Sequence, residues 1–477
     1  MNFCTKTFTN HYGAGLRAAT VTLLILFSAA VTAGCGASAV AESPPPGEPS
    51  GDPGPPSRRY VVPAPARYPA ARDAHVASLV SEMSLEEKVA QLLVVALVSS
   101  ETGGPLTELD PSTERRLREL QPGGVVLYGG NVEGVEQVAA LISDVQATAR
   151  IPLFVGIDEE GGLVSRLRHL GPGVATHLPP AATIGAAGDP LLSYRAGRAL
   201  GAELRSLGFN LNFAPVVDVA DPGGNAFLDS RTYSGDPQVV SRLATAFLRG
   251  LQTMGVSATV KHFPGHGGAV DDSHYGTAMV DAPAELLSRV DWQPFRAAVE
   301  AGADAIMVAH VAVPALTGDD TPASVSEDVL EGAARGELGF EGLLISDSVT
   351  MGGLSAALGD RSAAVAVVSA GGDIVLTPAR PERARDEVLE AVRDGRVAES
   401  RIDASVRRIL RVKLDRGILV PEEEAFTRRF ANLQELDPGD VLAAAAHREL
   451  VEEIRRRAAA NTGAGAAAPA AAEGARR

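Results

Sequence analysis

VVSRLATAFLRGLQTMGVSATVKHFPGHG, residues 239–267, decides how this chain is read. Val239–Gly255 carries apolar residues at helical spacing and ends on glycine. Ser257–His262 (SATVKH) is then short, apolar and closed by two polar residues. The chain repeats this unit. Further runs of the same kind are Gln91–Leu97, Gly124–Gly129, Pro152–Asp158, Leu211–Val219, Ala305–His310, Gly342–Asp347 and Ile374–Thr377. They are almost continuously apolar, as strands buried on both faces must be. Helical patterns such as Leu192–Leu207 lie between them, and Ser84 with Glu87 forms a capping box before the first run. A last helix, marked by Ile402, Val406, Ile409, Leu410 and Leu414, stops at Gly417. Eight strand–helix units over about 350 residues predict an α/β fold, a single (β/α)8 TIM-like barrel. The first unit is the weakest, because Gln91–Leu97 could extend the preceding helix. An open, doubly wound sheet is the alternative.

The ends of the chain read differently. Residues 1–35 have the layout of a secretory signal, with Lys6 and Arg17, an apolar stretch Ala18–Ala33, and small residues before Cys35. That apolar stretch is shorter than the ~20 residues a membrane-spanning helix needs. Ala33-Gly34-Cys35 resembles a bacterial lipobox, although Thr32 stands where Leu or Val is usual. Cys35 is therefore the expected lipidated residue, and the expected location is the outer face of the cell membrane. Removal of Cys4 with the signal leaves the mature domain without a cysteine to pair. Residues 36–71 hold a proline cluster that makes a stiff spacer. The barrel is expected over 72–419, followed by a helical, then Ala/Gly-rich tail over 420–477.

Composition narrows the function. The chain has 43 Lys plus Arg against 59 Asp plus Glu, a formal charge of −16. That argues against a nucleic-acid partner, whose phosphates need a basic face. Hydrophobic residues make up 45% and charged ones 21%, which excludes a largely disordered chain.

Polar residues end the apolar runs: Asp158, Asp218, Lys261, His262, His310 and Asp347. In a parallel barrel these ends share one rim, where active sites lie. Several charges on one rim are costly unless function requires them. The densest candidate is KHFPGHG, residues 261–267, followed by Asp272-Ser273-His274. His262, His266, Asp272 and His274 could chelate a metal, but Pro264 and Gly265 break the helix that such spacing needs. Lys261 and His262 would alternate across a regular strand, so both reach one ligand only if the strand bends before Pro264. Asp272 lies close enough in sequence to hydrogen-bond His274, which would fix its tautomer and suit it to proton transfer. His266 reads as a structural loop residue. Asp347 can be a nucleophile, a base, or equally a helix N-cap. Asp158 heads DEEGGLVSR, whose acid, glycines and Arg166 suit hydroxyl groups, or form only a charged loop. Arg231 could as well belong to a surface ion pair.

Together, KHFPGHG with DSH, NFAPVVDV before them and GFEGLLISDS after them resemble glycoside hydrolase family 3, in its β-N-acetylglucosaminidase branch. The resemblance spans Leu79 to Leu419. It implies a (β/α)8 barrel and retaining hydrolysis of terminal β-linked N-acetylhexosamine from cell-wall or chitin-type saccharides. It implies Asp347 as nucleophile and His274 as general acid/base with Asp272 as its partner. It places sugar contacts on Asp158, Arg166, Arg231, Lys261 and His262. No cofactor or metal is implied; the partners are a saccharide substrate and, through the lipid alone, a membrane, with the chain acting as a monomer. Three departures stand out. Glu159 replaces the usual Gln of DQEGG and is expected to affect loop packing. Ser348 replaces the second Asp of SDD, removing a charge beside Asp347. The second α/β domain of larger members is expected to be absent. Phosphorolysis, non-catalytic saccharide binding and metal-dependent deacetylation are the alternatives, the last the least favoured.

Overall fold

The computed structural model describes residues 69–171, 173–221, 228–269, 278–420 and 436–464. The signal and lipobox readings, most of the proline spacer, Asp272 and His274 lie outside these residues. Eight parallel strands form the core: β1 (Leu93–Ala96), β2 (Gly124–Val126), β3 (Phe154–Ile157), β4 (Leu211–Asn212), β5 (Ser257–Phe263), β6 (Ala305–Val308), β7 (Leu343–Ser346) and β8 (Val375–Leu376). Their order is β8-β1-β2-β3-β4-β5-β6-β7. The Ser346 N–H donates to Ile374 O at 3.0 Å, and a parallel bridge between Ile345 and Ile374 brings the two edges together. The sheet is thus a nearly closed barrel, which rules out the open alternative.

Except for β5, which extends one residue past its run to Phe263, the strands are shorter than the apolar runs that contain them. The Ser84–Glu87 capping box starts a helix, Leu85–Gln91, and Leu92 caps it, so Gln91 belongs to helix and β1 begins at Leu93. Leu211–Val219 contributes only two residues to the regular ladder. Pro215 has no N–H to donate there. Asn212 instead pairs its side chain with both backbone groups of Glu159, at 3.0 and 2.8 Å. The helices Pro190–Ser206, Pro237–Thr253 and Glu399–Asp415 cover the barrel. Asp189 and Asp236 cap the first two, each followed by a proline at the first helical position, where no N–H is missed. Beyond the barrel, Ala445–Ala464 packs Leu450, Val451, Ile454 and Ala458 into the same core. Among the described residues no helix is long and apolar enough to cross a membrane.

The lower end of the barrel holds a buried lysine. Lys413 is fully buried, donates to Gln91 Oε1 at 2.9 Å and lies 5.1 Å from the Phe154 ring centroid. Burial pulls its pKa down to about 7. Between pH 7 and its ordinary range the unfolded chain binds a proton that the folded chain does not, so stability rises with pH there. Below pH 7 the fold carries a buried ammonium. Lys413→Met should therefore raise unfolding stability at pH 6 by roughly 1–4 kcal/mol, the gain shrinking toward pH 10. Denaturant titrations across that range check this. A loss of stability at every pH would mean that the Gln91 bond outweighs the buried charge.

Candidate active site

The carboxyl ends of the strands converge on one polar cluster, built around a buried lysine. Lys261, near the end of β5, places Nζ 2.7 Å from Glu160 Oε1 and 3.0 Å from Asp158 Oδ1. Arg231 Nε and Nη2 donate to the two oxygens of Glu160, both at 2.8 Å. Arg166 Nη2 stands 3.7 Å from Asp158 Oδ2. Glu160, Lys261 and Arg231 are buried. Burial would push the Glu160 carboxyl up, but Lys261 and Arg231 outweigh it and bring it down to about 2. Burial likewise opposes the Lys261 charge, and Glu160 and Asp158 more than restore it. Two anions, Asp158 and Glu160, thus meet three cations, Lys261, Arg231 and Arg166, in a largely buried cluster. Such an array stores directional hydrogen-bonding capacity where a polyhydroxyl ligand can use it.

β5 bends where both of its polar residues must face the mouth. Its register with β6 shifts between Val260 and Phe263. His262 then turns its Nδ1 to Asp218 Oδ2 at 2.7 Å, while the His266 N–H donates to Asp218 Oδ1 at 2.7 Å. Asp218 is buried; the two histidines hold its carboxyl below the usual range against the effect of burial. With Nδ1 committed to a carboxylate, the imidazole of His262 is oriented and its Nε2 is left for other work. His266 packs edge-on to His262 at 5.9 Å and serves this orientation from the loop.

Asp347 directly follows β7. Its own N–H donates to Val308 O at 2.9 Å, and its Oδ1 accepts from the Ser348 N–H at 2.7 Å. It does not cap a helix; the next one, Gly352–Leu358, is capped by Met351. Burial favours the neutral acid, yet the carboxyl lies below its ordinary range because His310, His262, the Ser348 N–H and Lys261 outweigh that effect. His310 is itself fixed, with Nδ1 2.6 Å from Ser324 Oγ and Nε2 2.9 Å from Ser348 O. Ser348 Oγ lies 2.6 Å from Thr377 Oγ1 and 2.9 Å from Thr350 Oγ1, so hydroxyls surround the position where a second carboxylate is usual.

Asp158, Arg166, Arg231, Lys261, His262 and Asp347 therefore gather at one rim. Asp272 and His274 lie outside the described residues. Arg231 is no surface residue: its guanidinium is spent on Glu160 inside the cluster. Sequence reasoning passed over Glu160 and Tyr128, and named His310 only among the residues that end the apolar runs. Glu160 carries the centre of the charge network. His310 faces Asp347. Tyr128, after β2, has its hydroxyl pKa pushed to about 12 by burial and by the negative charge of Asp158. Tyr128 and Glu160 carried the same signal as the chosen residues, a polar side chain at a strand end.

Residues 84–412 match the Glycosyl hydrolase family 3 N terminal domain. The chain belongs to glycosyl hydrolase family 3. It is a glycoside hydrolase. A Beta-hexosaminidase of Stenotrophomonas maltophilia (strain K279a) is 38% identical over 292 residues, covering 60% of this chain and 84% of the relative. A family 3 beta-N-acetylglucosaminidase from Paenibacillus sp. str. FPU-7 has a similar structure, with TM-score 0.69 and 37% identity over 79% of this chain and 69% of that one. A family 3 member from Mycobacterium smegmatis str. MC2 155 reaches TM-score 0.63 at 30% identity, over 72% and 99% of the two chains.

Within this family 3 site Glu159 is turned away from the cluster. Its Oε2 accepts from the N–H groups of Arg166 and Leu167 at 2.7 and 2.9 Å. Burial lifts its pKa to about 7. The folded chain thus keeps a proton that the unfolded chain releases near its ordinary pKa, and stability falls as pH rises through about 4.5 to 7. Glu159→Gln keeps the oxygen acceptor without the charge. It should match the parent at pH 4 and exceed it at pH 8 by roughly 1–3 kcal/mol. Parallel stability curves for the two proteins would contradict a buried, titrating carboxyl.

Proposed function

We propose that this chain is a retaining exo-β-N-acetylglucosaminidase, removing terminal β-linked N-acetylhexosamine from cell-wall or chitin-type saccharides. The observation that carries the reading is Asp347: an ionised carboxylate at the end of a barrel strand, with imidazoles and an ammonium around it. Relatives named beta-hexosaminidase and beta-N-acetylglucosaminidase support the substrate class.

In this reading an Asp347 oxygen attacks the anomeric carbon, and the bond from that carbon to the leaving oxygen breaks. Protonated His274, partnered by Asp272, gives its proton to the departing oxygen. Neutral His274 then takes a proton from water, whose oxygen attacks the same carbon and frees the Asp347 carboxylate. Asp158, Arg166, Lys261 and His262 hold the sugar hydroxyls, with Arg231 acting through Glu160. Export and anchoring through Cys35 belong to the same proposal, and would bring the enzyme to saccharides outside the cell.

Asp347→Ala should lower kcat on a nitrophenyl N-acetylglucosaminide by at least about a thousandfold. His274→Ala should cost about 10²–10⁴-fold on unactivated disaccharides and far less on the nitrophenyl substrate, whose leaving group needs no proton. Equal losses on both substrates would contradict the acid role. Release of the glycosyl phosphate instead of free sugar in phosphate buffer would replace hydrolysis with phosphorolysis.

A further inference from the structure

Glu203 is a fully buried acid far along the helix Pro190–Ser206, and no catalytic step uses it. Its carboxylate accepts four hydrogen bonds. Two come from Thr176, through N at 2.9 Å and Oγ1 at 2.5 Å. Two come from the C-terminal segment, through Ala443 N and His447 Nδ1, both at 2.9 Å. One carboxylate thus ties the residues before Leu178 to a segment more than 240 residues later in the chain.

The tie leads to the charge cluster by direct contact. Thr176 precedes Leu178–Pro180, and this shelf supports the turn at Gly161 and Gly162. The Gly162 N–H donates to Leu178 O at 2.9 Å. A Cβ on Gly162 would lie 2.6 Å from Pro180 Cβ, and one on Gly161 would lie 3.0 Å from Leu178 Cβ; both glycines have positive φ. Nothing larger than glycine lets the turn sit this close. Glu160, the partner of Lys261 and Arg231, immediately precedes that turn. The segment that supplies two of the four donors lies C-terminal to the family match at 84–412. It is held by its own contacts: Leu450, Val451, Ile454 and Ala458 are buried, Arg457 Nη1 pairs with Asp189 at 2.9 Å, and Asn461 Nδ2 donates to Ala186 O at 2.9 Å.

We propose that Glu203 is a positioning residue through which the C-terminal segment 436–464 sets the Glu160–Arg166 loop for saccharide binding. This rests on the saccharide-site reading above. The segment acts as a brace: it seats Thr176, the shelf then seats the glycine turn, and the turn fixes Glu160 against Lys261 and Arg231. Ligand affinity therefore depends on contacts made well away from the sugar.

The test compares His447→Ala, His447→Gln and Asn461→Ala in the full-length protein. His447→Ala removes one donor to Glu203, His447→Gln restores an N–H donor, and Asn461→Ala loosens the same helix without touching Glu203. Amide hydrogen exchange over residues 160–178 is read first, because it needs no substrate. His447→Ala should speed exchange there at least about threefold, while the other two variants stay near the parent. On a nitrophenyl glycoside, His447→Ala should raise KM about three- to tenfold with kcat within about twofold, and His447→Gln should recover most of it. Unchanged exchange in His447→Ala would overturn the brace, as would equal effects of His447→Ala and Asn461→Ala. Altered exchange in a protein inactive on every N-acetylglucosaminide would leave the brace standing and sink the activity reading instead.

Discussion

Lys261 is charged although its side chain is almost wholly buried, and the mouth of the barrel is arranged to make that tolerable. An isolated buried ammonium would cost several kcal/mol or lose its proton. Here Asp158 and Glu160 stand within 3.0 Å of it, and Arg231 balances the second acid. Each of these groups is held by others: Glu160 by the glycine turn, Asp158 by the end of β3, and Lys261 by the bend of β5. Removal of one member leaves an uncompensated buried charge, which ties the members to one another. That rigidity is what a hydroxyl-binding surface needs, because donors and acceptors are set before the ligand arrives.

The same economy places Asp347. Burial disfavours its ionised form, and the site restores it with imidazoles, a backbone N–H and the ammonium of Lys261. A nucleophilic carboxylate needs its charge at neutral pH, yet must not be neutralised by a tight ion pair. His310 and His262 lower the pKa of the Asp347 carboxyl through their charge. Both are oriented by other partners, Ser324 and Asp218 respectively.

The barrel was legible because buried parallel strands must be apolar on both faces, and their polar terminations all point one way. Strand limits were less legible. Pro215 cuts the ladder after Leu211–Asn212, and the helix capped by Ser84 runs on through Gln91. The grouping of Asp158, Lys261, His262 and Asp347 followed from their place at strand ends, and that of Arg166 from the loop that Asp158 heads. Glu160 was harder to find, since adjacent carboxylates in DEEGG look alike in sequence. Only the fold turns Glu159 into its own loop and Glu160 onto two cations. The burial of Arg231 had no local signal for the same reason, as its partner lies 71 residues away. The C-terminal brace left no local signal, because its meaning depends on one buried acid, Glu203.

Retaining hydrolysis as proposed requires Asp347 to become covalently joined to the sugar during turnover. Incubation with a fluorinated N-acetylglucosaminyl fluoride, which slows breakdown of the intermediate, followed by proteolysis and mass spectrometry, tests it directly. One added sugar per chain is expected, on the peptide containing Asp347 and absent from Asp347→Ala. A stable adduct on any other residue would contradict it.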